Sequence, residues 1–291
     1  MDPKVSVVVP AYNGQKMLAK NLPKILAMGA DEVIVVDDAS TDRTAHFITR
    51  NFPKIKLICH IRNTRFPQAV NDGFRSASGD IVILLNQDAS PHADLLKNIL
   101  PHFQNPQIFS VTFNAQIQSW AKGSFKNGFL EFTNGTIDNK IHPSLWGAGG
   151  AAAFRKSIWA ELGGLDILFT PGYFEDMDIG IRAQKRGYQI IWDPKAIISH
   201  PSPESTYKTV LSPKYLNLIK DRNYLLVQWK NLDAVNIGLH MIALLARILT
   251  HPGFALPTLM ALIRLPHVIR FRISEKPYLK ISDEKLFAKF N

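Results

Sequence analysis

Four short apolar runs in the first hundred residues, "KVSVVVP", "EVIVVDD", "KIKLICH" and "DIVILLN", alternate with helix-length stretches at 14–28, 41–51, 66–77 and 92–103. Strands of four to seven residues separated by helical periods require crossover connections, which are right-handed and build a mostly parallel, doubly wound α/β sheet. Each run is apolar nearly throughout, as expected of strands covered on both faces. At 291 residues the chain can bury such a core and carry further structure beside it. In these sheets ligands bind beyond the carboxyl ends of the strands, so the polar residues at those ends are the candidates for function.

The first run ends in Pro10, Ala11, Tyr12, Asn13 and Gly14. The second ends in Asp37 and Asp38, followed by Ser40, Thr41 and Asp42, and the fourth in Asn86, Gln87 and Asp88. Neither GxGxxG nor GxxxxGK[ST] follows the first strand, which removes the usual glycine-rich grips on a nucleotide's phosphates. A divalent cation held by Asp88 would serve instead. Beyond residue 106, "IFSVTF" and "GSFKNGFLEFT" read as strands, and "WGAGGAAAF" as a glycine-rich turn leading into the helix "RKSIWAEL". A helix over 175–187 ends at Gly187, and "YQIIWDP" and "AIISHPS" read as two further strands.

"FEDMDIGIR", residues 174–182, sets Glu175, Asp176 and Asp178 side by side. A helix start tolerates such a cluster, because its positive dipole end favours carboxylates. The alternative is that the cluster faces a cation or a proton. The single cysteine, Cys59, excludes a disulfide framework; its place within a strand predicts a buried, inert thiol and fits a reducing compartment. The start "MDPKVSVVVP" has too short an apolar run for a secretory signal, which gives the expectation of a cytoplasmic protein.

Six strings in order resemble the inverting glycosyltransferases of family 2, with the GT-A fold, and among them bacterial rhamnosyltransferase-like members. They are "VSVVVPAYNG", "VIVVDDASTDRT", "RNTRFPQAVNDGFRSASGDIVILLNQDASP", "GAGGAAAFRKSIWAELGGLD", "FEDMDIGIRAQKRGY" and "ISHPSPEST", covering residues 4–210. The resemblance implies a nucleotide-diphosphate-sugar donor and a glycan or lipid-linked acceptor. It implies that Pro10, Ala11, Tyr12 and Asn13 border the nucleobase, that Asp38 hydrogen-bonds the base or ribose with Asp37 and Asp42 nearby, and that Asp88 ends a metal-binding DXD-like motif for Mg²⁺ or Mn²⁺. Asp42 reads equally as a helix cap. Asn86 departs from the acidic first position of that motif, which leaves the metal to Asp88 and a second ligand. The family places a histidine near the diphosphate where His200 stands; a hydrogen-bonded structural histidine is the alternative.

Asp176 matches the family's general base, with Glu175 and Asp178 raising its pKa by like-charge repulsion and Arg182 balancing the cluster. Gly149 and Gly150 either let the backbone approach the donor or make only a tight turn. Trp146 either floors an acceptor sugar or is core. A nucleotidyltransferase and a catalytically silent sugar-nucleotide-binding or membrane-scaffold protein are the competing readings; the missing phosphate loop counts against the first, and the intact Asp38, Asp88 and Asp176 against the second.

Residues 1–210 thus read as the catalytic domain and 211–291 as a basic, apolar helical region. The latter carries 12 Lys and Arg against 5 Asp and Glu, within a net charge of +10 for the chain. No nucleic-acid motif appears, and the apolar content exceeds what a phosphate-reading surface needs. In "AVNIGLHMIALLARILT", Asn236, His240, Ala243, Arg247 and Thr250 trace one narrow polar stripe. Pro252 and Pro257 argue against a clean membrane span, so helices lying on the inner face of a membrane are expected, with Arg264, Arg270 and Arg272 toward anionic headgroups. Packing on the catalytic domain, or on a partner subunit in an oligomer, is the other reading. On the membrane reading, a chain ending near residue 210 stays soluble and keeps its nucleotide site.

Overall fold

A computed structural model describes residues 3–116, 119–200 and 211–290. The first run forms β1 (Val5–Ala11), followed by α1 (Gln15–Ala27), β2 (Glu32–Asp37), α2 (Thr44–Asn51), β3 (Lys56–Cys59), α3 (Phe66–Ser76) and β4 (Ile81–Leu85). β1 pairs in parallel with both β2 and β4, and β2 with β3. The side chains alternate as a doubly covered strand requires. Val5, Val7 and Val9 enter one core with Leu18, Leu22 and Ile25 of α1, whereas Val8, Ile34 and Val36 enter another with Val70 and Phe74 of α3.

Past β4 come the short β5 (Ser90–Pro91) and α4 (Leu95–Ile99), then β6 (Ile108–Asn114) and the hairpin β7 (Ala121–Lys126) and β8 (Phe129–Asn134). β9 (His142–Pro143), β10 (Ala151–Arg155), α5 (Lys156–Glu161), α6 (Glu175–Lys185) and β11 (Gln189–Ser199) follow. The nine-stranded sheet runs β3-β2-β1-β4-β10-β6-β11-β5, with β9 on β11, so it is a mixed sheet with a parallel first half. β10 is antiparallel to β4 and β6.

Four local expectations are corrected. The helix expected over 92–103 is one α-helical turn or so, Leu95–Ile99, continued as a 3₁₀ segment, Leu100–Gln104. "AAAF" is strand β10 and not part of a turn, because Ala152 and Phe154 fill one core while Ala151 and Ala153 fill the other. The two strands expected over 188–202 are one strand, β11, whose register shifts between Asp193 and Ile197, around Pro194. Cys59 is exposed, because β3 is the edge strand of the sheet. The end of α6 follows expectation: Gly187, at φ 95°, turns the chain, and Tyr188 donates back to Ala183 O at 3.0 Å.

Residues 213–290 form α7 (Pro213–Asn231), α8 (Ala234–Thr250), α9 (Ala255–Leu262), α10 (Leu265–Glu275) and α11 (Asp283–Phe287). They are not a separable unit. Leu225, Leu226, Trp229, Leu286 and Phe287 share one core with Trp120, Leu130, Leu145 and Trp192. Ion pairs join the same helices to α6: Lys230 meets Asp178 at 2.8 Å, Lys185 meets Asp233 at 2.7 Å and Asp283 at 2.6 Å, and Arg186 meets Glu275 at 2.6 Å. The first half of the polar stripe of α8 points inward, whereas Arg247 and Thr250 at its other end are exposed. Asn236 donates to Asp283, and the buried His240 accepts from Trp229 Nε1 at 3.1 Å and lies 2.8 Å from Gly128 O.

Arg272 likewise faces inward, donating to Trp229 O at 2.9 Å and Leu232 O at 2.8 Å, where it closes the end of α7 rather than meeting headgroups. A soluble remnant ending near residue 210 is therefore not expected, since truncation would uncover Asp178, Lys185 and Arg186 together with the shared core. Breaking a buried ion pair by removing one partner typically costs about 3–5 kcal/mol. Lys230→Ala, which leaves Asp178 and Asp166 short of a partner, should lower stability by about 3 kcal/mol or more, read as a shift of the urea midpoint.

Candidate functional site

A cavity of about 560 Å³ opens at the carboxyl ends of β1, β2 and β4. Its wall includes Pro10 and Ala11 of β1 and Tyr12 just after it, Asp38 after β2, and Asn86, Gln87 and Asp88 after β4. The far side adds Trp146, Gly149, Glu175, Asp176 and His200. One crevice thus gathers candidates that lie far apart in the chain.

Asp38 is buried and its carboxylate organises the adjoining loop. One oxygen takes Thr64 N at 2.7 Å, Thr64 Oγ1 at 2.8 Å and His60 Nδ1 at 2.8 Å; the other takes Arg65 N at 2.8 Å. That loop brings Asn63, Arg65 and Phe66 into the cavity wall, residues for which the sequence analysis assigned no role. Arg65 sits at φ 73° and ψ 168°, a region glycine ordinarily occupies, and among the described residues its guanidinium makes no ion pair or hydrogen bond. A free cation held in a costly backbone conformation is suited to an anionic ligand. The signal lies in "RNTRF", whose polar residues follow the end of β3 as Asp38 follows that of β2.

Asn13, Asp37, Gly150 and Asp178 do not line the cavity. Asn13 accepts from Thr41 N at 2.7 Å and Asp42 N at 3.3 Å, tying the ends of β1 and β2 together. Asp37 is buried and accepts from Ser40 N at 3.3 Å. Asp42 accepts from Thr44 N at 2.9 Å and leads into α2 from one residue ahead of its N-cap, Arg43. Gly150, at φ 95°, leaves room for Asn86, whose side-chain oxygen would stand 2.1 Å from an added Cβ. Asp178 is fully buried beneath α6, against Arg182 at 2.9 Å and Lys230 at 2.8 Å, with Asn231 Nδ2 donating at 2.8 Å. Its charge is matched by two cations, so it belongs to the foundation of the site.

Asp176 stands half-exposed in the wall and accepts from Gly149 N at 3.0 Å and Met177 N at 2.8 Å. Burial raises its pKa, and the two N–H groups oppose that rise. Glu175 is the more strongly affected: burial first, then the neighbouring Asp176 and Asp178, push its carboxyl up to about 8. Among the described residues Glu175 Oε2 has no hydrogen-bond partner. The carboxyl of Asp176 is thus raised as expected, but by burial rather than by repulsion, and the like-charge repulsion acts instead on Glu175.

Both carboxyls are aimed by the preceding loop, where Tyr173 and Phe174 take φ 74° and φ 71°. Non-glycine residues adopt that region only where surroundings over-determine them. Asn223 of α7 does so here, donating to Phe169 O, Gly172 O and Tyr173 O at 2.9 to 3.0 Å, and Arg222 adds a bond to Thr170 O at 2.7 Å. The polar residues of α7 thus hold the loop that precedes α6 directly.

Asp88 Oδ1 lies 3.3 Å from His200 Nε2, which is 3.5 Å from Asn86 Nδ2. One carboxylate and one imidazole at this separation fit a Mg²⁺ or Mn²⁺ ion that takes its remaining ligands from water and a ligand's phosphates. Among the described residues no group of three or more His, Cys, Asp or Glu is placed to hold a metal alone. The "PSPEST" part of the last string lies outside the described residues.

A model of glycosyl transferase family 2 matches residues 6–163, more than half of the chain. A poly-beta-1,6-N-acetyl-D-glucosamine synthase of Staphylococcus aureus (strain COL) is 26% identical over 215 residues, covering 69% of this chain and 50% of its own. The chain spans about half the length of the curated relatives it matches. Among solved structures, the mannosyltransferase PcManGT from Pyrobaculum calidifontis, in complex with GDP-Man and Mn²⁺, superposes with a TM-score of 0.57 at 19% identity, over 96% of this chain and 85% of that one. Staphylococcus aureus TarS 1–349 in complex with UDP-GlcNAc gives 0.57 at 17% identity, over 94% and 91%. These likenesses establish the GT-A glycosyltransferase fold.

The buried Glu175 makes stability depend on pH in a defined direction. Its folded pKa is raised to about 8 from an ordinary 4.5, so its contribution is fully present below about pH 4.5 and is lost as pH rises toward 8. Glu175→Gln removes that titration. The variant should gain on the parent in urea midpoint between pH 5 and pH 8; a gap that stays constant would show that Glu175 ionises normally.

Proposed function

The chain belongs to glycosyl transferase family 2, and on that footing we propose that it moves a sugar from a nucleotide-diphosphate donor to an acceptor hydroxyl with inversion of the anomeric carbon. The observation that carries this reading is the placement of Tyr12, Asp38, Asp88, His200 and Asp176 around one cavity. Tyr12 offers an aromatic face to a base, next to the Asp38 loop. The Asp88–His200 pair and the free Arg65 side chain favour a diphosphate. The complexes of PcManGT with GDP-Man and Mn²⁺ and of TarS with UDP-GlcNAc support a donor of this class.

In the transfer, the acceptor oxygen attacks the anomeric carbon as the bond to the diphosphate breaks, and the nucleoside diphosphate leaves with the bonding pair. Asp176 takes the acceptor's proton. Glu175, keeping its own proton, lets its neighbour remain ionised for that task. A divalent ion on Asp88 and His200 would neutralise charge on the leaving diphosphate. The acceptor in this reading is a glycan or a lipid-linked glycan, and the place of action is the inner face of the cell membrane. The polysaccharide-synthase relative supports an envelope-polysaccharide role.

Turnover of a panel of nucleotide sugars with Mn²⁺ present tests the assignment; no turnover of any, with or without acceptor, would favour a silent binding protein. Asp176→Asn should lower transfer by about 10² to 10⁴, the range typical of a general base, while calorimetry shows donor binding nearly intact. Turnover within about tenfold of the parent would remove Asp176 from the role. Asp88→Ala and His200→Ala should each weaken nucleoside-diphosphate binding only when a divalent cation is present. Full activity in EDTA would contradict the metal.

A further inference from the structure

α8 turns His240 and Leu244 inward, with Asn236, Ile237 and Ile248 half-buried beside them, and leaves a further set of apolar residues facing out. Ile242 is 68% exposed, Leu249 82%, Ile263 at the end of α9 76% and Ile273 of α10 70%. Val235, Leu245, Leu256 and Leu259 extend the same outward set. Exposed apolar side chains in this number on three consecutive helices mark an interaction surface.

The occupant is identified by charge. Residues 234–274 contain four arginines and no Asp or Glu. Arg272 is turned inward, but Arg247 and Arg270 are exposed and Arg264 half-exposed, with Lys276 and Lys280 exposed just beyond. A second copy docked through this face would set arginine against arginine, since an isologous contact pairs a patch with itself. Anionic headgroups over an acyl layer match both the apolar centre and the basic rim. Among the described residues no single helix is long and apolar enough to cross a membrane; Pro252–Leu262 and Leu265–Tyr278 meet that measure only together and are bent by 60°. The inward faces are, moreover, committed to the protein.

We propose that α8, α9 and α10 form a monotopic docking surface for an anionic lipid bilayer, lying in its interface rather than spanning it. The surface is joined to the cavity by one element. The tip of the β7–β8 hairpin sits on α8, with Gly128 closely packed against Leu239 and Ala243 and the Phe129 ring 5.2 Å from Arg247. The same hairpin carries Phe132, 41% exposed, into the cavity wall. An acceptor with a lipid anchor would thus reach the cavity along the hairpin from the bilayer; that last step rests on the transferase reading, whereas the docking does not.

The test is flotation of the full chain with phosphatidylcholine vesicles, with and without phosphatidylglycerol. The parent should float with the anionic vesicles and lose most of that binding on neutral ones. The triple variant Ile242→Ser, Leu249→Ser, Ile263→Ser should bind anionic vesicles about tenfold less or weaker still. Its melting temperature should match the parent's within a few degrees, because the three side chains are exposed. Arg264→Glu with Arg270→Glu should reduce flotation and its salt sensitivity together. A parent that fails to float, or that forms a dimer dissociated by the triple variant, would overturn the proposal, as would equal binding to both kinds of vesicle. None of these readouts uses sugar transfer, so failure here is distinct from failure of the proposed activity.

Discussion

Asp178 holds this molecule together at the point where its function is concentrated. A carboxylate with no solvent contact is strongly unfavourable unless cations and hydrogen bonds surround it. Here Arg182 comes from its own helix, while Lys230 and Asn231 come from α7. Lys230 also reaches Asp166, ahead of the loop that leads to α6. The cluster therefore locks α6 to α7. With α7 fixed, Asn223 and Arg222 meet the carbonyls of residues 169–173 and keep Tyr173 and Phe174 in their left-handed conformation. The side chains of Glu175 and Asp176 then have one place to go.

The opposite wall follows from different physics. Parallel strands end together, so residues separated by dozens of positions arrive at one edge. What fixes their orientation is hydrogen bonding between the loops: Asn13 binds the turn after β2, Asp38 binds the turn after β3, and Gln87 accepts from Tyr12 N at 3.1 Å. Several acidic and amide groups that read as ligands in the sequence are instead the struts of this rim. A rigid rim facing a loop clamped by α7 gives a cavity whose two sides are positioned independently and meet across the ligand space.

The sheet was legible because its signal is local: β1, β2 and β4 are apolar runs whose alternation into two cores needs no long-range information. The strand ends were legible for the same reason, and Tyr12, Asp38, Asp88, Asp176 and His200 all reach the cavity. What escaped were residues whose roles depend on partners far away in the chain. Asp178 looks like Asp176 in sequence, and only Lys230, 52 positions on, separates a foundation from a working group. Arg272 carries the same charge as Arg270 but finds the carbonyls of Trp229 and Leu232. Burial of Glu175, whose carboxyl is the one that the like-charge repulsion acts on, is likewise a property of the assembled core. The periodicity of α8 marks a polar stripe, but not that Asn236 and His240 face the protein while Arg247 and Thr250 are exposed.

The proposed transfer is a single displacement, in which Asp176 takes the acceptor's proton while the diphosphate departs from the other face of the anomeric carbon. The most direct measurement is the configuration of the first product formed from whichever nucleotide sugar the enzyme turns over, followed by proton NMR from the coupling at the anomeric position before mutarotation intervenes. The account predicts the anomer opposite to that of the donor. A first product that keeps the donor's configuration would contradict it, since retention requires either a covalent intermediate or attack from the same face as departure.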